Sequence, residues 1–307
     1  MTGRRIRKTW RLCADSCAIT EAKKAQRRDW HAERQMQMKI GKYEFDTANH
    51  TYVMGILNVT PDSFSDGGKW SRTDDALRHV QQMISEGAAI IDVGGESTRP
   101  GYEQIRVEEE ILRIAPIIEK IKTEFDICVS LDTYKSRVAR AGIEAGADLI
   151  NDIWGLKQDT AMAQVIAESG KSCCLMHNRE KAEYQNFMQD VMEDLAETLR
   201  LAQEAGIDGD KIILDPGVGF GKTYEQNLEC INRLEELHMF GCPVLLGASR
   251  KSVIGLTLDL PVEERLEGTL VTTTLAVMKR CAFVRVHDVK ENVRAIRMAE
   301  AIRDSLK

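Results

Sequence analysis

Eight short apolar runs in this sequence each end in residues able to bind or ionise: Asn58, Asp92, Asp132, Asn151-Asp152, His177, Asp215, Ser249–Ser252, and Arg285 with His287. A single polar residue at such a point ordinarily caps the helix that follows. A ring of them around one mouth reads instead as a polar ligand site. Asp132 and Asp215, with Asn151 between them in the chain, suit a heterocycle rich in N–H donors. A carboxylate accepts two parallel hydrogen bonds, and an amide both donates and accepts. Asp215 taken alone also fits a turn before Pro216. The last two runs point to an anion. Ser249–Ser252 follows a strand and a glycine and opens a helix, while Arg285 and His287 lie two apart, on one face of a strand. With Lys251 they suit a phosphate-type group. No Ser/His/Asp order, no HExxH and no cysteine with an activating neighbour is present, so covalent catalysis is not indicated.

The runs that must position these residues are Tyr52–Val59, Ala89–Val93, Ile127–Leu131, Leu149–Ile153, Ser172–His177, Lys211–Leu214, Pro243–Leu246 and Cys281–Val289. They are nearly continuous in apolar residues, the pattern of strands buried on both faces. Between them lie helical stripes: Leu77, Val80 and Ile84, stopped by Gly87; Val107, Ile111, Ile114, Ile118 and Ile121; Phe187, Val191, Leu195, Leu199 and Ala202, closed by Gly206. Pro261 with Glu263 and Glu264 predicts the start of another helix, and Lys279–Arg280 its end. Eight strand–helix units predict an α/β fold, a (β/α)8 TIM barrel with its chemistry at the strand ends. An open doubly wound sheet is the alternative, disfavoured because no GxGxxG follows the first strand. The loops after the first two strands are long and rich in Gly, Ser and Asp, as a lid over the site requires.

The 307 residues are 43% hydrophobic and 29% charged, and the net charge of −6 is unevenly spread. Residues 1–39 carry +7 and residues 40–307 carry −13. The acidic body and its isolated basic leader fit poorly with nucleic-acid binding. No apolar run approaches the length of a membrane span, so no membrane association is expected. Eight cysteines form no CxxC pair, and adjacent Cys173 and Cys174 would face opposite sides of a strand. Buried thiols in a reducing cytoplasm follow. Residues 1–37 are expected to be a basic extension: a disordered tail, a partner-binding or targeting arm, or the product of an upstream start codon. Residues 38–307 are expected to form the catalytic barrel, opened by a short hairpin.

The motifs resemble the dihydropteroate synthase family of pterin-binding barrels. The matching stretches are Met54–Gly68 (MGILNVTPDSFSDGG), Asp92–Gly101 (DVGGESTRPG), Ser130–Thr133, Ile150–Asp152, Leu175–His177, Leu214–Lys222 (LDPGVGFGK), Gly247–Ser252 (GASRKS) and Arg285–Val289. The resemblance implies a transferase of folate biosynthesis. It would join 7,8-dihydropterin-6-ylmethyl diphosphate to p-aminobenzoate with Mg2+, releasing pyrophosphate and forming 7,8-dihydropteroate. Carried over by motif, Asp132, Asn151, Asp215 and Lys251 hold the pterin edge, and Ile153, Met176 and Gly247 line its slot. Asn58 helps bind Mg2+, while Thr98, Arg99, Arg285 and His287 take the diphosphate. Ser249, Phe220, Phe64 and Pro100 frame p-aminobenzoate, and a homodimer is implied. Asn178-Arg-Glu-Lys181 departs from a Met-Gln-Gly-type continuation seen in some members, so no role transfers to it. Two rivals share pterin recognition: a methyltetrahydrofolate-dependent corrinoid methyltransferase and a non-catalytic pterin-binding relative. The first needs no diphosphate site, and the second would be expected to lose the lid loops.

Overall fold

Strands built of continuous apolar residues have no face to offer water, and here they close on one another. The computed structural model describes residues 37–59, 69–96 and 104–305. A hairpin of β1 (Met38–Ile40) and β2 (Tyr43–Phe45) comes first. Then follow β3 (Tyr52–Asn58), α1 (Lys69–Glu86), β4 (Ile90–Gly94), α2 (Val107–Glu124), β5 (Cys128–Asp132), α3 (Ser136–Glu144), β6 (Leu149–Asp152) and α4 (Met162–Ser169). The second half holds β7 (Ser172–Met176), α5 (Phe187–Ala205), β8 (Ile212–Asp215), α6 (Tyr224–Asn232), β9 (Leu245–Leu246), α7 (Ser252–Leu258), α8 (Leu266–Met278), β10 (Phe283–Val286) and α9 (Val289–Arg303). Strands β3 to β10 are parallel, in the order β8-β7-β6-β5-β4-β3-β10-β9. A parallel bridge between Leu214 and Val244, with the Leu214 N–H donating to the Pro243 carbonyl at 2.9 Å, brings β8 to β9 and completes the (β/α)8 barrel.

Side chains alternate along a strand, so every second residue enters the barrel. The lowest layer takes one apolar residue from each strand, from Met54 on β3 and Ile90 on β4 round to Phe283 on β10. The hairpin residues Met38, Ile40 and Phe45 pack on that layer and seal the floor. Two residues further along five of the eight strands the inward column turns polar: Asp92 above Ile90, Ser130 and then Asp132 above Cys128, and Asn151 above Leu149. Asp215 likewise stands above Ile213, and Arg285 above Phe283. The alternate, outward column (Val53, Ile91, Val129, Ile150, Cys173, Leu214) packs under the helices in the main core.

Three sequence-based boundaries need correction. The last strand is Phe283–Val286 rather than Cys281–Val289, because Val289 already starts α9. The seventh strand shrinks from Pro243–Leu246 to Leu245–Leu246. The helix expected from Pro261 is two pieces, a 3-10 turn at Val262–Glu264 and then α8. Arg265 takes non-helical angles between them, with its guanidinium on the carbonyls of Leu260 and Arg250 at 3.1 and 3.0 Å. Among the described residues, no helix is long and apolar enough to cross a membrane.

Candidate active site

The polar layer is built around one guanidinium. Arg285 donates from Nε to Asp92 Oδ2 at 2.6 Å and from Nη2 to Asp132 Oδ2 at 2.7 Å. Asn151 Nδ2 approaches the same Asp92 oxygen at 3.4 Å. The other carboxylate oxygens, Asp92 Oδ1 and Asp132 Oδ1, are buried without a partner, as is the Ser130 hydroxyl. Unpartnered buried acceptors are costly, and an N–H donor on a ligand would satisfy the two carboxylate oxygens. Burial raises the Asp132 carboxyl above its usual range against the pull of Arg285, and the paired carboxylates hold Arg285 firmly charged.

A second carboxylate–cation set stands across the mouth. Asp215 takes the Gly217 N–H on Oδ1 at 2.7 Å, and burial again raises its carboxyl, with Lys251 opposing. The Lys251 ammonium donates to the Val218 carbonyl and sits 4.6 Å from the centre of the Phe220 ring. Burial pushes its pKa down to about 8. Gly247 leaves the floor between these groups open: a Cβ there would stand 3.5 Å from Asp215 Oδ2 and 3.8 Å from the Arg285 stem. Along one wall Tyr134, Ile153 and Met176 form a separate apolar cluster with Trp154 and Phe220 packed against it. A flat ring between that wall and the carboxylate edges would be held by its faces and read by its N–H groups.

Above β9 and β10, His287 donates its backbone N–H to Ser249 Oγ at 3.2 Å, and that hydroxyl meets His287 Nδ1 at 3.0 Å. The Ser249 hydroxyl thus holds both the backbone and the ring of His287, leaving Nε2 as the ring atom not bonded to it. Arg250 turns away and pairs with Asp288, Nε to Oδ2 at 2.9 Å. Asn58 ends β3 at the rim, its amide oxygen 3.5 Å from where a Cβ on Gly94 would be. Among the described residues no three His, Cys, Asp or Glu side chains gather as a metal cage. Of the residues singled out from the sequence, Asp132, Asn151, Asp215, Lys251, Arg285, Ile153, Met176, Phe220, Gly247, Ser249, His287 and Asn58 stand at the same end of the barrel. Phe64, Thr98, Arg99 and Pro100 lie outside the described residues.

Sequence reasoning gave no role to two features. Asp92 shares Arg285 with Asp132 and is fully buried; its signal was position, two residues beyond inward Ile90. Lys135 was not singled out at all. Its ammonium donates to Glu96 Oε2 at 2.6 Å, Glu110 Oε2 at 2.7 Å and the Ile105 carbonyl at 2.9 Å. Tyr134 and Thr133 complete the two carboxylates, at 2.8 and 2.9 Å.

Residues 54–287 match the family described as Pterin binding enzyme. A protein from Clostridium beijerinckii named dihydropteroate synthase is 61% identical over 266 residues, which cover 86% of this chain and 99% of the relative. The solved dihydropteroate synthase of Clostridium difficile, in the presence of pteroic acid, is 48% identical with a TM-score of 0.82, covering 84% of this chain and 98% of its own. That of Xanthomonas albilineans with 4-aminobenzoic acid is 37% identical with a TM-score of 0.83, covering 88% and 99%.

Proposed function

The chain belongs to the dihydropteroate synthase family of pterin-binding enzymes, and from that premise we propose how its own residues carry out the transfer. The substrates are 7,8-dihydropterin-6-ylmethyl diphosphate and p-aminobenzoate, and the products are 7,8-dihydropteroate and pyrophosphate. The observation that carries this reading is the pair of buried, unpartnered carboxylate oxygens on Asp92 and Asp132, at the barrel end that also holds the apolar cluster of Tyr134, Ile153 and Met176.

Asp132, Asn151, Asp215 and Lys251 hold the pterin edge, with Ile153, Met176 and Gly247 lining the slot. Asp132 accepts ring N–H bonds on Oδ1 while Arg285 fixes its other oxygen. The carboxyl oxygens of Asp92, Asp132 and Asp215, gathered in this layer, favour positive charge spreading into the pterin as its methylene–oxygen bond breaks. The departing diphosphate is received by His287, whose ring Ser249 holds at Nδ1, with Arg285, Thr98 and Arg99. Phe220 and Ser249, with Phe64 and Pro100, frame the arylamine, whose nitrogen closes on the methylene carbon and loses one proton. No protein nucleophile is needed, and orientation supplies the rest.

Mg2+ fits the donor chemistry at Asn58. It prefers few protein oxygens, keeps its waters and takes phosphate oxygens from substrate, so one neutral amide at the rim suits it. When bound it neutralises charge on the leaving diphosphate. Release of pyrophosphate by the purified chain is expected to require both Mg2+ and p-aminobenzoate; absence of release with both present would sink the reading.

A homodimer is supported by α8. Its sequence, LEGTLVTTTLAVM, is apolar around much of the helix, and Val271, Leu275 and Met278 are exposed beside Leu256 and Leu258 of α7. A helix apolar on all sides is ordinarily covered on all sides. The cytoplasmic placement is supported by the six cysteines among the described residues, all buried free thiols.

A further inference from the structure

Lys222 ends the glycine-rich turn after β8, and no ligand role falls to it. Its ammonium is bonded to the carbonyls of Gly217 and Phe220, at 2.9 and 3.1 Å, and to His177 Nδ1 at 2.9 Å. An ammonium has three N–H donors and no acceptor, so all three are engaged and Nδ1 must be the acceptor. His177 therefore carries its proton on Nε2 and donates to Asp194 Oδ2 at 3.0 Å. Arg179 Nε reaches the same oxygen at 2.6 Å, and its guanidinium lies 4.4 Å from the Tyr184 ring centre. The Tyr184 hydroxyl returns to the Gly221 carbonyl at 2.8 Å. The circuit starts and ends on the turn at 216–222 and runs through the loop after β7, the stretch that departs from the family pattern.

The two loops meet without room for a methyl group. Gly217 and Gly221 have φ of 71° and 52°, and a Cβ on either would collide with the carbonyl oxygens of His177 and Arg179 respectively. Burial keeps His177 neutral, its pKa pushed down to about 4, so the acceptor persists across the physiological range.

The turn presents three groups to the site: the Gly217 N–H to Asp215, the Val218 carbonyl to Lys251, and the Phe220 ring. Asp215 is also anchored on its strand, where its carbonyl takes the His177 N–H at 2.9 Å. Phe220 stands at the far end of the turn, where the Lys222 bond and a 3.1 Å bond from its own N–H to Gly217 fix its backbone. We propose that Lys222, docked on His177, is a positioning residue for the arylamine subsite, holding the Phe220 ring where p-aminobenzoate must lie. The proposal rests on the reading of Phe220 as a wall of that subsite.

Lys222→Met keeps the stem and removes the donors. The KM for p-aminobenzoate is expected to rise about tenfold or more, the loss of roughly one charge-assisted hydrogen bond. The kcat and the calorimetric Kd for the dihydropterin diphosphate should stay within about threefold. A second pair isolates the acceptor. His177→Asn retains an acceptor oxygen near the Nδ1 position and should keep a KM close to that of the unsubstituted protein. His177→Leu should reproduce the Lys222→Met defect. Unchanged KM values, equal loss of both substrates, or identical behaviour of the two His177 variants would each overturn the proposal. If Lys222→Met fails to fold, the His177 pair decides. Absence of p-aminobenzoate-dependent pyrophosphate release from the unsubstituted protein would instead overturn the parent reading.

Discussion

Arg285 shows how little of a site is set by residue type alone. From its place two residues before His287 it is expected beside an anion; in the fold its guanidinium is held by Asp92 and Asp132. Asp132, Asn151, Asp215 and Lys251 were legible because each ends an apolar run. Their pairings were not, since strands far apart in sequence supply the partners, such as Asp92 and Arg285. The division of labour predicts separable defects. Asp215→Asn removes a charged acceptor and should weaken pterin binding by about 1.5–3 kcal/mol, roughly ten- to a hundredfold in Kd. His287→Ala should leave that Kd nearly unchanged and reduce affinity for pyrophosphate about tenfold. Calorimetry with each ligand separates them, and equal losses of both ligands in either variant would contradict the assignment.

At the level of elements, the period-two columns of the strands explain why an apolar floor and a polar upper layer coexist in one barrel. The number and order of strands were readable from continuous apolar runs. Their ends were less so: Cys281 and Ala282 are as apolar as a strand, yet pairing with β3 begins at Phe283. Lys135 joins Glu96 after β4 to Glu110 in the first turn of α2, tying together the described ends of the segment between them. The side chains of Glu96 and Glu110 are only 4% and 2% exposed. Removing the cation leaves two buried carboxylates unpaired, a loss of about 3–5 kcal/mol. Lys135→Met should therefore lower the urea midpoint markedly, and Lys135→Met with Glu110→Gln should recover part of the loss. A midpoint within experimental error of the parent would show that solvent already screens the cluster.

For the whole molecule, the split between a basic leader and an acidic body was plain in the composition, and the described residues account for the body. Oligomeric state was not readable from periodicity, because α8 is apolar on more than one face and a single chain gives no hint of what covers the second. If two copies meet there, Val271→Glu on its exposed surface should shift the sedimentation coefficient from dimer to monomer, since a two-fold contact would bury the new charge twice. An unchanged dimer would place the contact elsewhere. The hairpin of β1 and β2 has a consequence for traffic. It stoppers one end of the barrel, so both reactants and both products share a single doorway. Asp92 and Asp132 lie deeper in the barrel than the turn that carries Phe220, so in the proposed arrangement the pterin sits behind the arylamine, nearer the stopper. In that arrangement the pterin would have to enter first and, unless it had become part of the product, could not leave past its partner. The layering of side chains is thus also a timetable.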